Sequence, residues 1–313
     1  MRYLGQFRHQ NRSVSPVIGT ILMVATVVII AAVIGATALG YTDKLGGTET
    51  TSADQCGTTE FDPENVDDFA ESEQVAYKVP CVMWFDATQL DYSDGETVST
   101  WTDESVNEFD APVESGDPTW TSDYDGVAAI EFDRTKDENF RTDVSPSDAG
   151  LAGDTEITVI SVSNPTDPSE GHTGDGWDDR RRAVFDIGDR RSGGGSVMLQ
   201  RRRFDDEWRA DDLGSWEVED SSDSWTVHTV TYDGDQMSGY ANGKRVAQSD
   251  ASLDIVDHEI AIGYSKRYSS VTHMDGAIAE VVIFDRALTD SERQSIECKL
   301  DKKHGGAVNV NGC

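Results

Sequence analysis

The sequence predicts a mostly β protein, an antiparallel β-sandwich head preceded by one long apolar N-terminal α-helix. Three observations predict it. Val17 to Leu39 is a run of 23 residues without one charge. From about residue 76 onward, short segments rich in Val, Ile, Phe, Trp and Thr recur at close spacing. Asp-Gly or Asn-Gly pairs punctuate them at 94–95, 125–126, 233–234, 242–243 and 275–276, and such pairs suit the left-handed backbone of tight hairpins.

The apolar run comes first. At 1.5 Å per residue it makes a helix about 35 Å long, enough to cross a hydrocarbon core of about 30 Å. Arg2, Arg8 and Arg12 precede it and the first acidic residue is Asp43, so the N-terminus is expected in the cytoplasm and the rest of the chain outside. The run exceeds the roughly 7–15 residues of a secretory h-region. Ala36-Thr37-Ala38 still offers a small-x-small site that would start a mature chain at Leu39. A helix apolar all round must sit in lipid or against copies of itself. Gly19 and Gly35, with Ala31, Ala32 and Ala36, allow close approach, and Pro16 lies near the start, where a missing N–H costs little.

Arg12-Ser-Val-Ser-Pro-Val-Ile-Gly19, followed by Thr20-Ile-Leu-Met-Val-Ala25, resembles the N-terminus of archaeal type IV pilins, particularly haloarchaeal ones, over about residues 10–40. The resemblance implies cleavage by a prepilin peptidase between Ser13 and Val14, ahead of the apolar run. Pro16, Val17, Ile18, Gly19 and Gly35 would then belong to a retained segment, first a membrane anchor and later a helix packed among other pilin subunits. An ordinary single-pass anchor and a removed signal peptide are the alternatives.

The chain is strongly acidic, with 59 acidic against 26 basic residues and a formal charge of −33. Asp (39) outnumbers Glu (20) and Arg (18) outnumbers Lys (8). Such self-repulsion is tolerable where salt screens over about 3 Å, as at 1 M. This composition resembles that of halophilic archaeal proteins, and it excludes a nucleic-acid partner, which needs a basic face.

Cys56, Cys81, Cys298 and Cys313 are an even set in an exported domain, which implies two disulfides rather than a zinc site. The first strand and last helix should lie close, which favours Cys81–Cys298 with Cys56–Cys313. The sequential pairing, Cys56–Cys81 with Cys298–Cys313, is the rival.

The chain divides into a leader (1–13), the apolar helix (14–40), an acidic Thr/Gly/Ser-rich stalk (41–75), the β head (76–305) and a Cys-ended tail (306–313). Strands are expected at 79–85, 127–132, 156–162, 183–187, 196–199, 225–232, 237–241, 259–262 and 278–284. One helix is expected at 290–303, capped by Thr289 or Asp290, with Glu292 in its first turn.

Trp84-Phe-Asp-Ala87, Val98-Ser-Thr-Trp101 and Gly126-Val-Ala-Ala-Ile-Glu-Phe-Asp133 resemble the opening of laminin-G-like, concanavalin-A-like jelly rolls. Tyr240-Ala-Asn-Gly-Lys244 resembles their central hairpin turn. Asp275-Gly-Ala-Ile-Ala-Glu-Val-Val-Ile-Phe-Asp-Arg-Ala-Leu-Thr-Asp-Ser-Glu-Arg293 is similar to their closing strand and capped helix. The resemblance implies a jelly roll over about 76–305, a fold that serves lectins, adhesion modules and glucanases alike.

Glucanases on this fold align carboxylates on one strand face as Glu-x-Asp-x-(x)-Glu, because glycoside hydrolysis needs two carboxyl groups flanking the bond. Glu131-Phe-Asp133 continues as Arg134-Thr135-Lys136, and Glu108-Phe-Asp110 reaches Glu114 only after Ala-Pro-Val. No Gly-x-Ser-x-Gly elbow is present, and His172, His228 and His273 are scattered. No catalytic residue is expected. Calcium would have to come from Asp-rich loops at 175–179, 205–206 and 211–212, which lack a fixed-spacing motif, so no resident cofactor or metal is assigned. After Val14 no Asn-x-Ser/Thr sequon occurs, since Asn164 precedes Pro165.

One anomaly remains. Arg180, Arg181, Arg182, Arg190, Arg191, Arg201, Arg202 and Arg203 fall within 24 residues and flank two expected strands. If those strands form a hairpin, the arginines converge on one end of a sheet. They would bind an anion, such as an acidic glycan or a neighbouring acidic subunit, or else balance nearby Asp. The expectation as a whole is a cell-surface structural and adhesive protein, pilin-like, displaying a binding head. A membrane-anchored lectin-like receptor that does not polymerise is the first alternative and a secreted glycan hydrolase the second.

Overall fold

The computed structural model describes residues 81–153, 155–166, 181–188, 195–202, 207–210, 214–217, 224–267 and 270–313. The chain divides after Ser52, and every described residue belongs to the second unit. Among the described residues no helix is long and apolar enough to cross a membrane. The apolar run, the Ser13–Val14 junction and Cys56 lie outside the described residues.

Two eight-stranded antiparallel sheets form the head. The first runs β14 (Lys244–Asp250), β13 (Gln236–Ala241), β12 (Thr226–Tyr232), β7 (Ile157–Pro165), β18 (Gly276–Phe284), β5 (Val127–Phe132), β4 (Thr119–Tyr124), with β1 (Met83–Asp86) also on β18. The second runs β11 (Gly214–Glu217), β10 (Glu207–Ala210), β9 (Ser196–Arg202), β8 (Arg181–Gly188), β15 (Ile260–Ile262), β6 (Asn139–Arg141), β3 (Ala111–Ser115), β2 (Thr100–Trp101). A separate hairpin joins β16 (Tyr264–Arg267) to β17 (Ser270–His273). The expected all-β sandwich is therefore present.

Side-chain alternation divides the core in two. Along β7, Ile157 and Val159 face the second sheet, while Ile160 and Val162 face the opposite way. The inter-sheet core carries a chain of edge-on rings, with Phe85 to Trp101 at 6.0 Å, Trp101 to Phe140 at 5.8 Å and Phe140 to Phe132 at 5.9 Å. All nine residues of β7 and of β18 are buried. Both of their faces are covered, because helix α1 (Asp290–Lys303) and the C-terminal residues lie over the outer side.

The helix begins where a local cap sets it. Thr289 is the cap, forming a capping box with Glu292, and Arg286 grips the same carboxylate at 2.8 and 3.0 Å. The Arg286 and Thr289 hydrogen bonds hold Glu292 down at about 2. The buried face of α1 is Glu292, Arg293, Ile296, Glu297 and Leu300. Glu297 accepts from the Thr229 hydroxyl at 2.6 Å and pairs with Arg293, whose guanidinium stacks 3.8 Å from the Tyr240 ring.

At the C-terminal end of α1, Glu280 sits 1% exposed. Its carboxylate accepts from the Trp84 indole at 2.7 Å and the Lys303 amine at 2.8 Å, and lies 3.0 Å from His304 Nε2. Lys303 also bonds Asp86, the direct cross-strand neighbour of Glu280. Burial alone would raise Glu280, but Lys303 and His304 outweigh it and hold the carboxyl at about 2. Asp86 is pushed upward by burial and by Glu280.

One expectation changes. Cys298 is bonded to Cys313, not to Cys81. The first strand and last helix do meet, through Lys303 and Asp86, but Cys298 lies on the opposite side of α1 from Ile296 and Leu300 and so points away from the sheet. Cys81 is disulfide-bonded as well, and its partner lies outside the described residues. The Cys-ended tail, 306–313, packs against the head. Val308 and Val310 are buried in the helix-side core, and the Asn311 N–H donates to the Asn242 carbonyl at 2.9 Å.

Replacing Cys298 and Cys313 together by serine frees a loop spanning 15 residues. Chemical denaturation is expected to show a loss of about 3 kcal/mol. Hydrogen exchange is expected to rise first at Val308 and Val310, while the sheets stay protected.

Candidate anion-binding site

The arginine-rich segment does form a hairpin. β8 pairs antiparallel with β9, with Arg181 opposite Arg202 and Arg182 opposite Arg201. Arg180, Arg190, Arg191 and Arg203 lie outside the described residues, as does the Arg202 side chain. Arg182 and Arg201 are both 0% exposed. Leu199 packs into the inter-sheet core, so Arg201, two residues on, shares its inward face.

The groups that receive these arginines come from the facing sheet and its turns. Arg201 Nη1 donates to the Pro165 carbonyl at 2.6 Å. Arg182 Nε donates to the Thr166 hydroxyl at 3.3 Å and lies 3.3 Å from an Asp275 carboxylate oxygen. Arg134 approaches that oxygen at 3.7 Å, and the Thr166 hydroxyl donates to it at 2.9 Å. The end of β7 and the start of β18 therefore supply a carbonyl, a hydroxyl and a carboxylate to two buried cations. The approach is tight: a Cβ at Gly276, where φ is +118°, would lie 2.4 Å from the Asn164 carbonyl oxygen.

Behind the arginines the inner face of the first sheet is polar. His228 is opposite Ser161, and Thr226 is opposite Ser163. All four are at most 1% exposed. Burial, followed by the charge of Arg201, lowers His228 to about 3, so the imidazole is neutral at ordinary pH.

The geometry can be set beside known proteins. Residues 12–54 match the archaeal type IV pilin N-terminal family. Residues 174–292 match the laminin-G-type concanavalin A-like lectin/glucanases superfamily. The chain joins an archaeal type IV pilin N-terminus to a concanavalin A-like head. The head match spans the whole arginine hairpin and ends within α1.

No curated protein matches the chain. Similar solved structures include the receptor binding domain of botulinum neurotoxin mosaic serotype C/D, at 14% identity and a TM-score of 0.48, covering 70% of this chain and 50% of that one. The botulinum neurotoxin serotype G binding domain follows at 11% and 0.47, covering 71% and 51%. Trypanosoma rangeli sialidase, in complex with the inhibitor DANA, is similar at 15% and 0.46, covering 71% and 33%. This chain thus spans about half of the toxin domains and a third of the sialidase.

Glu131 is exposed on β5, while Asp133 accepts from the Thr135 N–H at 2.9 Å and caps a 3-10 turn. Asp110 accepts from the Asp103 N–H at 2.9 Å, and Glu114 lies 3.4 Å from Arg141. His273 is pushed down by burial, lies 3.5 Å from Asp137 and meets the Tyr264 ring edge-on at 5.5 Å. The Asp-rich loops considered for calcium, and His172, lie outside the described residues. Sequence reasoning found the arginines but missed Pro165, Thr166 and Asp275. The Asp275-Gly276 pair was legible as a turn; its role as the arginine acceptor was not.

Between pH 6.5 and about 3 the folded head binds fewer protons at His228 than the unfolded chain does. Stability contributed by the neutral imidazole is therefore lost as pH falls through that window, by on the order of 5 kcal/mol in total. A His228→Gln variant is expected to lose less stability than wild type between pH 6.5 and 4 in urea titrations. Equal losses would show that His228 titrates in the fold.

Proposed function

We propose that this protein is a type IV pilin-like surface subunit in which the apolar segment is retained and the sandwich head is displayed outward for adhesion. The observation that carries the reading is the pilin N-terminal match at 12–54, because that family's cut lies ahead of the apolar run, at Ser13–Val14 here. The segment of 23 uncharged residues then has two uses, spanning the membrane before assembly and packing against other subunits afterwards. Prepilin peptidase and other pilin subunits are the implied partners. The head contributes binding, with glycans or other cell surfaces as ligands, and requires neither a catalytic step nor a resident cofactor. The acidic excess, −33 over the chain, suits a surface working in concentrated salt.

One observation favours a second reading. The same uncharged run is long enough to hold the protein in a membrane without polymerisation, as a lectin-like receptor. N-terminal sequencing of the protein recovered from sheared surface filaments separates these. Val14 as first residue, in filament fractions, is the expected result. A start at Leu39 in the medium would remove the anchor and the filament together, and a Val14 start confined to membranes would favour the receptor.

A further inference from the structure

Cys81 is disulfide-bonded, and elimination names its partner. The chain has four cysteines and Cys298 is joined to Cys313, so Cys81 is joined to Cys56. That bond closes residues 57–80 into a loop attached to the head. The division of the chain agrees, because it falls after Ser52 and groups Ala53 onward with the head. Seven acidic residues fall between Glu60 and Glu73, against one base in the loop, Lys78. Phe61, Val66 and Phe69 stand among the acids, and a purely solvated tether has no use for them.

The outer face of α1 is matched to such a loop. Gln294, Cys298, Lys299 and Lys302, with Gly312 from the returning C-terminus, line a groove of about 430 Å³ there. Lys299 and Lys302 are the charged residues among the described lining, in a chain whose formal charge is −33. The Cys298–Cys313 bond and the lysine stems give the groove apolar surface, while the ammonium groups can be flanked by acids. The tether is near. Cys81 belongs to the same buried cluster as Ile296 and Leu300, on the inward face of the same helix. A helix is about 10 Å thick, and the eight residues from Cys81 back to Glu73 reach about 26 Å when extended. Closure by the disulfide holds the loop at an effective concentration on the order of millimolar, so weak contacts suffice to seat it.

We propose that the acidic loop 57–80, clasped by Cys56–Cys81, docks in the lysine-lined groove of α1 in its own chain. Phe61, Val66 and Phe69 cover the disulfide and the lysine stems, and the loop carboxylates pair with Lys299 and Lys302. The apolar share matters, because concentrated salt screens the charges. The connection between the apolar segment and the head then runs over residues 41–55 instead of 41–75. The docking belongs to the head, so it stands whether or not the protein polymerises.

The test uses the full chain in detergent, as a mixture of heavy-isotope-labelled and unlabelled protein treated with a zero-length carbodiimide. Peptide mass spectrometry without reduction is expected to find the Cys56–Cys81 bond. It is also expected to find Lys299 or Lys302 joined to a carboxylate between Glu60 and Glu73, with both peptides carrying the same isotope. Mixed-isotope links would give the groove to the loop of a second copy, and the lack of any such link would leave the loop undocked. Either result overturns the proposal, as does Cys56 bonded elsewhere. A second arm replaces both lysines, as Lys299→Glu with Lys302→Glu. A glutamate-specific protease is expected to cut after Glu64 and Glu71 about tenfold faster in this variant, as two exposed ion pairs are lost, with an unchanged far-ultraviolet spectrum. Equal cleavage rates in the two proteins would also overturn it.

Discussion

One buried carboxylate ties together pieces of chain that are far apart in sequence. Glu280, in the closing strand, takes hydrogen bonds from Trp84 in the first strand and from Lys303 at the end of the last helix. Isolated in this apolar layer it would take up a proton; surrounded by Lys303 and His304 it stays charged. A buried ion pair is weak evidence for net stability, but it is demanding about geometry. Sliding α1 by a turn would leave Glu280 and Asp86 without Lys303. The network therefore fixes the register of the helix on the sheet, and the helix in turn keeps β7, β12 and β18 dry on their outer side.

The consequence is a sandwich with two covered interiors. The inner one lies between the sheets and ends at the arginines. The outer one lies under α1 and the returning C-terminal residues, closed by Cys298–Cys313. The return requires a close approach at the β13–β14 turn, where Asn242 and Gly243 have φ of 45° and 81°. A Cβ on Gly243 would come within 2.6 Å of the Asn311 carbonyl, so the Asn-Gly pair serves the hairpin and the tail together.

Much of this was legible before the structure, for definite reasons. The helix at 290–303 was readable to the residue because its cap, Thr289 with Glu292, is a local signal. The central strands were readable because β-branched runs such as Ile157–Val162 have no other stable place. Edge strands were not: β14, Lys244 to Asp250, is mostly exposed and polar, and only its pairing with β13 makes it a strand. The favoured disulfide failed because proximity of two elements does not say which side of a helix a cysteine occupies. The arginine hairpin was foreseen, but its acceptors sit in turns of other strands, and the serines behind it read as ordinary polar residues of a β segment. The family match places the head among concanavalin A-like domains without naming a ligand.

The account stands or falls on whether Glu280 is charged and paired in the fold. The most direct measurement is the stability of wild type and Glu280→Gln, by denaturant unfolding, as a function of pH. A folded carboxyl near 2 against an ordinary unfolded value gives stability that is present above about pH 4.5 and lost as pH falls toward 2. Asp86, raised by burial and by Glu280, acts in the opposite sense, and in the variant only burial still raises it. The variant is expected to be less stable by about 3–5 kcal/mol at pH 7, with a gap that narrows steadily below pH 4.5. Equal stability at pH 7, or a gap that does not change with pH, would contradict a network built on the Glu280 charge.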